Sequence, residues 1–230
     1  LYVGPSTQRR LSSYGIHTIG ELAQSPLHLL RSLFGKYGEI LHCFANGLDV
    51  SPVAKYDNQP TVKSIGNSAT APRDLFHNED VRILLSVLAD SVGRRLREQG
   101  FKARTVSIHI RDADLFSFSR QAVFPQYTNI TSEILEKSFS LFRQNYSWGK
   151  PVRSIGIHVF DLMGDTVPTQ ANFFQDEKTR LRLEHLEKAA DGLKNRFGTG
   201  ILQPASQLID RKLSQIDPKN DHNIHPVGFF

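Results

Sequence analysis

At 230 residues and 39% hydrophobic content, the chain is long enough to bury one large core or two small ones. Twenty-eight Lys and Arg against 23 Asp and Glu give a net charge of +5, a mild bias toward polyanionic partners that an ordinary solvated surface explains equally well. A lone Cys43 excludes an internal disulfide and a cysteine zinc site and suits a reducing cytosol, while the sequence has no membrane-length apolar run and no signal peptide. The first residue is Leu1 rather than Met, as in a piece of something longer.

Residues 1–46 read as a bundle of short helices punctuated by glycine and proline. Val3-Gly4-Pro5-Ser6-Thr7 is a tight turn that opens a helix from Thr7 to Tyr14, closed by Gly15; Thr18 caps a second helix, Ile19 to Gln24. Two apolar clusters follow, Leu27 to Phe34 and Ile40 to Phe44. A turn between helices whose amides point outward binds a phosphate without reading sequence, the helix-hairpin-helix logic, although a plain helical bundle fits the same string. Residues 47–60 lack periodicity, carry two prolines and read as a tether.

Beyond the tether, Thr61 to Ala71 is a strand with poor alternation. Asn78 is placed to cap a helix whose Val81, Leu84, Leu85, Leu88, Val92 and Leu96 form one stripe, with Arg94, Arg95 and Arg97 near its negative end and Gly100 as its stop. Phe101 to Phe124 then forms two antiparallel strands. Val106, Ile108 and Ile110 fall on one side, and Thr105, Ser107, His109 and Arg111 on the other. After the turn Asp112-Ala113-Asp114, Phe116 and Phe118 continue the apolar side, and Ser117, Ser119 and Gln121 the polar one, which holds no carboxylate. A helix from Thr131 to Tyr146 turns Leu135, Phe139, Phe142 and Tyr146 inward. A fourth strand, Val152 to Leu162, turns Ile155, Ile157 and Val159 inward and Ser154, Gly156 and His158 outward. The class is α+β, and β-α-β-β-α-β order lets two helices cover one face of a four-stranded sheet and leave the other open.

In this succession, VGPSTQRRLSSYGIHTIGELA, KSIGNSAT, GRRLREQGF followed by ARTVSIHIRD, and PVRSIGIHVFDL resemble the thumb and little-finger domains of Y-family translesion DNA polymerases, nearest the bacterial DinB/UmuC (ImpB/MucB/SamB) group. The likeness reaches to about Asp210 and implies a thumb over 1–46, a tether over 47–60, a little finger over 61–163 and an extension over 164–230. In that family the palm and fingers precede this region and hold the catalytic carboxylates with their magnesium. The resemblance therefore implies a piece without chemistry or cofactor, whose parent is a nucleotidyltransferase.

The resemblance also implies sites. The thumb turn, commonly Gly-Ile-Gly-Pro-Lys, stands here as Tyr2, Val3, Gly4, Pro5 and Ser6. Phosphate contact then falls to Gly4, Ser6 and Thr7, with charge from Arg9 or Arg10. The family lays its open sheet face on the backbone of primer-template DNA, and the matching residues are Ser64, Ser107, His109, Arg111, Ser117, Ser119, Ser154 and His158. Gln170-Ala171-Asn172-Phe173-Phe174 resembles the family's sliding-clamp peptide, in which Gln170, Phe173 and Phe174 would engage a pocket; a simple packed loop is the other reading. Expected partners are duplex or primer-template DNA and the replicative clamp, with no membrane, for a monomeric cytoplasmic protein in DNA repair.

Lys178 to Phe197 reads as a charged helix with Leu183, Leu186, Ala190, Leu193 and Phe197 along one stripe, closed by Gly198, and the chain from Lys212 as a disordered polar tail. His109 with His158, or His222 with His225, lack a third metal ligand. Asp112 and Asp114 suit hairpin-turn chemistry better than a cation. Phe116 and Phe118 echo an RNA-recognition motif, but without its other aromatics they read as core. A free-standing nucleic-acid-binding or regulatory protein remains the alternative to a polymerase piece.

Overall fold

The computed structural model describes residues 2–53, 62–166 and 177–216. The chain divides into two compact units, residues 1–60 and 61–230. The first holds four short helices, α1 (Pro5–Ser12), α2 (Ile19–Gln24), α3 (Leu27–Phe34) and α4 (Lys36–Ala45), around Leu11, Ile16, Leu22, Leu30 and Leu41. Pro5 is the first residue of α1, where its missing N–H costs nothing, and the helix stops at Ser12, two residues short of the Tyr14 expected. The Ile16 amide turns back to the Leu11 carbonyl across Gly15, whose φ of 75° reverses the chain. At α2 the Thr18 side chain accepts from the Glu21 amide while the Glu21 carboxylate accepts from the Thr18 amide, a reciprocal cap, and the His17 amide at 2.6 Å, followed by the Thr18 amide, holds this carboxyl below its ordinary pKa. Gly38 lets α4 cross α3 closely, since a Cβ there would lie 2.1 Å from the Leu30 carbonyl oxygen.

In the second unit the strands are β1 (Ser64–Leu75), β2 (Phe101–Asp112), β3 (Ser117–Thr128) and β4 (Val152–Gly164), and the long helices are α5 (Asn78–Glu98) and α6 (Thr131–Asn145). The sheet order is β1-β4-β2-β3, antiparallel throughout. The expected β-α-β-β-α-β order and α+β class are therefore observed. Period-2 alternation sends Ile65, Val106, Ile108, Ile110, Ile155, Ile157 and Val159 to one face, where they meet the α5 stripe Val81, Leu84, Leu85, Leu88, Val92 and Leu96 and the α6 residues Ile134, Phe139 and Phe142. Asn67 also points into this layer, where its amide donates to the Ser91 hydroxyl on α5.

Three local expectations are corrected. Asn78 does not cap α5: His77 occupies that position, and the Asn78 side-chain oxygen instead accepts from the indole of Trp148 at 2.9 Å. Phe116 is not core but 67% exposed, because the Asp112 carboxylate takes the Phe116 amide and Leu115 adopts φ 68°, so β3 begins only at Ser117. Phe118 alone reaches the core edge, stacked on Tyr146. The chain just past Lys212 is ordered: α8 (Arg211–Ser214), capped by Asp210, buries Leu213 completely against the core.

The helix α7 (Glu177–Phe197) departs furthest from its sequence pattern. Leu186, Leu193 and Phe197 are 64%, 46% and 56% exposed. The helix instead turns its charged side inward. Arg180 pairs with Glu133, Glu184 with Lys102, Glu187 and Asp191 with Arg97, and Lys194 with Asp90. Arg97 was expected to complement the dipole of α5; its side chain is 4% exposed and also donates to the Asn129 carbonyl.

Candidate nucleic-acid interface

Cross-strand partners share a face, so the register assembles the uncovered side of the sheet row by row. One row runs Thr70, Ser154, Arg111, Ser117; the next Ser68, Gly156, His109, Ser119; the next Gly66, His158, Ser107, Gln121; and the last Ser64, Phe160, Thr105, Val123. All eight face residues named from the sequence thus lie together. The register adds Ser68 and Thr70 on β1, and Gln121, already placed on the polar side by the alternation of β3, completes the third row.

Two glycines flatten the middle of this face. A Cβ at Gly66 would lie 2.1 Å from His158 Nδ1, so the imidazole lies across the strand where a side chain would stand, stacked beside Phe160 at 6.3 Å. Gly156 is similarly closed in, since a Cβ there would lie 3.0 Å from the Ser68 Cβ. Arg95 reaches round from α5 to donate to the Gly66 carbonyl at 2.8 Å. Burial, with smaller contributions from His109 and Arg95, pushes the His158 pKa below the ordinary histidine value. His109 Nδ1 lies 3.2 Å from the Ser119 hydroxyl.

The named face carries one fixed charge, Arg111, amid hydroxyls and imidazoles. The expectation of an acid-free face needs correcting: Asp161, held at φ 53°, bends its carboxylate onto the Thr105 hydroxyl in the last row. The left-handed backbone at Asp161 breaks the strict alternation on which that expectation rested.

In the first unit, Gly4 precedes α1 with no side-chain cap, which leaves the first-turn amides of Ser6 and Thr7 without intrahelical acceptors. Ser6 is exposed, Arg9 Nε folds back to the Pro5 carbonyl at 3.3 Å, and Arg10 lies over the Phe34 ring at 5.4 Å. Tyr2 has φ 64°, a conformation glycine adopts without strain. Its ring packs 5.2 Å from Phe44 and its carbonyl accepts from the Tyr37 hydroxyl, contacts a glycine could not fully replace.

The remaining candidates separate. Phe118 lies on the apolar side with Ile110 and Ile155, so no aromatic pair of the RNA-recognition kind stands on the open face. Asp112 accepts from the Phe116 amide, as turn chemistry requires, whereas Asp114 is held in an ion pair with the Lys150 side chain. Among the described residues no group of three His, Cys, Asp or Glu is placed to hold a metal, and no helix is long and apolar enough to cross a membrane. Gln170, Phe173 and Phe174 lie outside the described residues, as do His222 and His225.

Comparison with known proteins matches residues 2–49 to the DNA polymerase-iota thumb domain and residues 62–173 to the C-terminal domain of the impB/mucB/samB family. The chain belongs to the Y-family DNA polymerases. It is 46% identical over 216 residues to DNA polymerase IV of Acetivibrio thermocellus, covering 94% of this chain and 54% of that protein. To DNA polymerase IV 2 of Bacillus subtilis it is 38% identical over 211 residues, 89% of this chain and 49% of that protein. The chain thus spans about half the length of these Y-family relatives. A solved Y-family DNA polymerase chimera shares the fold with a TM-score of 0.54 at 17% identity, over 70% of this chain and 46% of that one.

Proposed function

We propose that this chain is the non-catalytic DNA-binding portion of a lesion-bypass polymerase in DNA repair, and that it holds primer-template DNA by its backbone. The observation that carries this reading is the uncovered face, on which hydroxyl rows and Arg111 flank a glycine-flattened centre. Hydroxyls, amides and one guanidinium suit phosphate oxygens, whereas a base-reading surface would present bidentate side chains on an element that fits the groove. The α1 amides at Ser6 and Thr7, with Arg9 and Arg10 nearby, supply a second phosphate contact.

The test is fluorescence anisotropy on duplex and primer-template DNA across a salt series. With about four to six phosphates engaged, log affinity falls against log salt with a slope of about −4 to −5. Arg111→Glu lowers affinity alike for all sequences. Binding confined to one sequence, or indifferent to salt, overturns the reading. Burial holds the His158 pKa below the ordinary histidine value, so protonation of this imidazole adds charge to the face, and affinity rises, only as pH falls below that ordinary value of about 6.5. His158→Gln removes that rise.

The same reading assigns magnesium and nucleotide chemistry to the polymerase's catalytic part, and this chain alone does not extend a primer. It also assigns Gln170, Phe173 and Phe174 to the replicative sliding clamp, in keeping with their place at the very end of the match to the family's C-terminal domain, which runs to residue 173. Titration of the clamp with the chain and with Phe173→Ala, Phe174→Ala checks this; equal affinities remove the clamp assignment and leave DNA binding untouched.

A further inference from the structure

The helix α7 sorts its side chains in an unusual way. Of its four acids, Glu184, Glu187 and Asp191 face inward on Lys102 and Arg97, and Glu177 meets the Gln126 amide. Two of its bases, Arg180 and Lys194, are buried with Glu133 and Asp90. Lys178, Arg182, Lys188 and Arg196 remain, all exposed, and none is in an ion pair among the described residues. At 100° per residue, Lys178, Arg182, His185 and Arg196 fall in a single row, and Leu186, Leu193 and Phe197 fall in a second row directly beside it. The outward half of the helix is therefore a cationic row alongside an apolar one, about 30 Å long.

We propose that this face of α7 is a docking surface for an acidic amphipathic segment of a partner protein, with Leu- or Phe-type side chains seated against Leu186, Leu193 and Phe197 and flanking carboxylates on Lys178, Arg182 and Arg196. Charge complementarity chooses the occupant. A second copy of the same face would set cation against cation, and a phosphate backbone would satisfy the arginines but leave two leucines with nothing to cover them. An acidic helix with apolar residues at three- and four-residue spacing satisfies both rows at once. Four apolar side chains left in water along one helix, the three of this row and Leu181 on the far side of the cationic one, are a costly arrangement unless something covers them.

The probe is a fluorescein-labelled 18-residue peptide with Leu at three- and four-residue spacing and Glu on either flank, titrated into the 230-residue chain and followed by anisotropy. Saturable binding is expected, with a loss of about tenfold or more in Arg182→Glu, Arg196→Glu and separately in Leu193→Ser, Phe197→Ser. A Lys-for-Glu version of the peptide does not bind. Helix content by circular dichroism and affinity for duplex DNA stay at parent values in both variants, which separates this surface from the sheet face. Absence of saturable binding by the acidic peptide, equal binding of the Lys version, or equal binding by parent and variants overturns the proposal. Loss of DNA affinity in the charge-reversed variant with peptide binding unchanged also overturns it and assigns the row to nucleic acid.

Discussion

α5 and α7 are both 21-residue helices in the same unit, and they bury opposite kinds of surface. α5 presents an aliphatic stripe to a sheet face that is itself aliphatic, so its orientation follows from apolar area leaving water. α7 meets a layer whose nearest groups are Arg97, Asp90, Lys102, Glu133 and the Thr131 amide. Each of those needs a partner more than it needs a leucine, since an unpaired buried charge costs more than an exposed aliphatic side chain. The comparison teaches that amphipathicity fixes a helix's options, and that the surface already formed chooses between them.

The strongest way to sharpen that contrast is to remove apolar volume from α5. Leu88 is fully buried, and Leu88→Ala should cost about 3–5 kcal/mol by urea denaturation, reflecting lost transfer energy and a cavity. Arg97→Ala attacks the seam between the helices and leaves Glu187 and Asp191 half-desolvated without their cation. A cost of about 3 kcal/mol is expected, with loss of protection from hydrogen exchange concentrated in α7.

Arg73 offers a weaker, partly exposed counterpart at the other end of α5. Its guanidinium bridges Asp80, in the first turn of α5, and Asp210, and holds both carboxyls below their ordinary pKa. Because the folded values are depressed, the stability these acids contribute is present above about pH 4 and is lost as pH falls through the lowered values. Arg73→Leu should flatten that acid limb of a stability–pH curve while costing no more than about 1 kcal/mol at pH 7, given the exposure of the pair.

The smallest effect is the most diagnostic. Leu193→Ser on the outward side of α7 should change stability by less than about 0.5 kcal/mol. A loss comparable with that of Leu88→Ala would mean that the leucine row is buried after all and that the contrast between the two helices fails.

Much of the candidate DNA-binding face was legible from alternation alone. Val106, Ile108 and Ile110 against Ser107, His109 and Arg111 is a period-2 pattern, and a strand with one buried face leaves no freedom in register. Ser68 and Thr70 were less visible because β1 interleaves small and polar residues on both sides, Asn67 being buried and Ser68 not. Asp161 was missed because one left-handed residue redirects a side chain against the parity of its strand.

By itself the sequence determined which residues share a strand face, which stripe of α5 is apolar and how α2 is capped and bounded, because these depend on backbone periodicity and on residues a few positions apart. Only the tertiary structure decided that Arg97 would meet Asp191, 94 residues away, that His158 would lie over Gly66 on the neighbouring strand, and that α7 would turn its leucines outward. Those outcomes turn on whether a particular charge or ring finds a partner when distant segments come together, a free-energy comparison between surfaces that no local pattern contains.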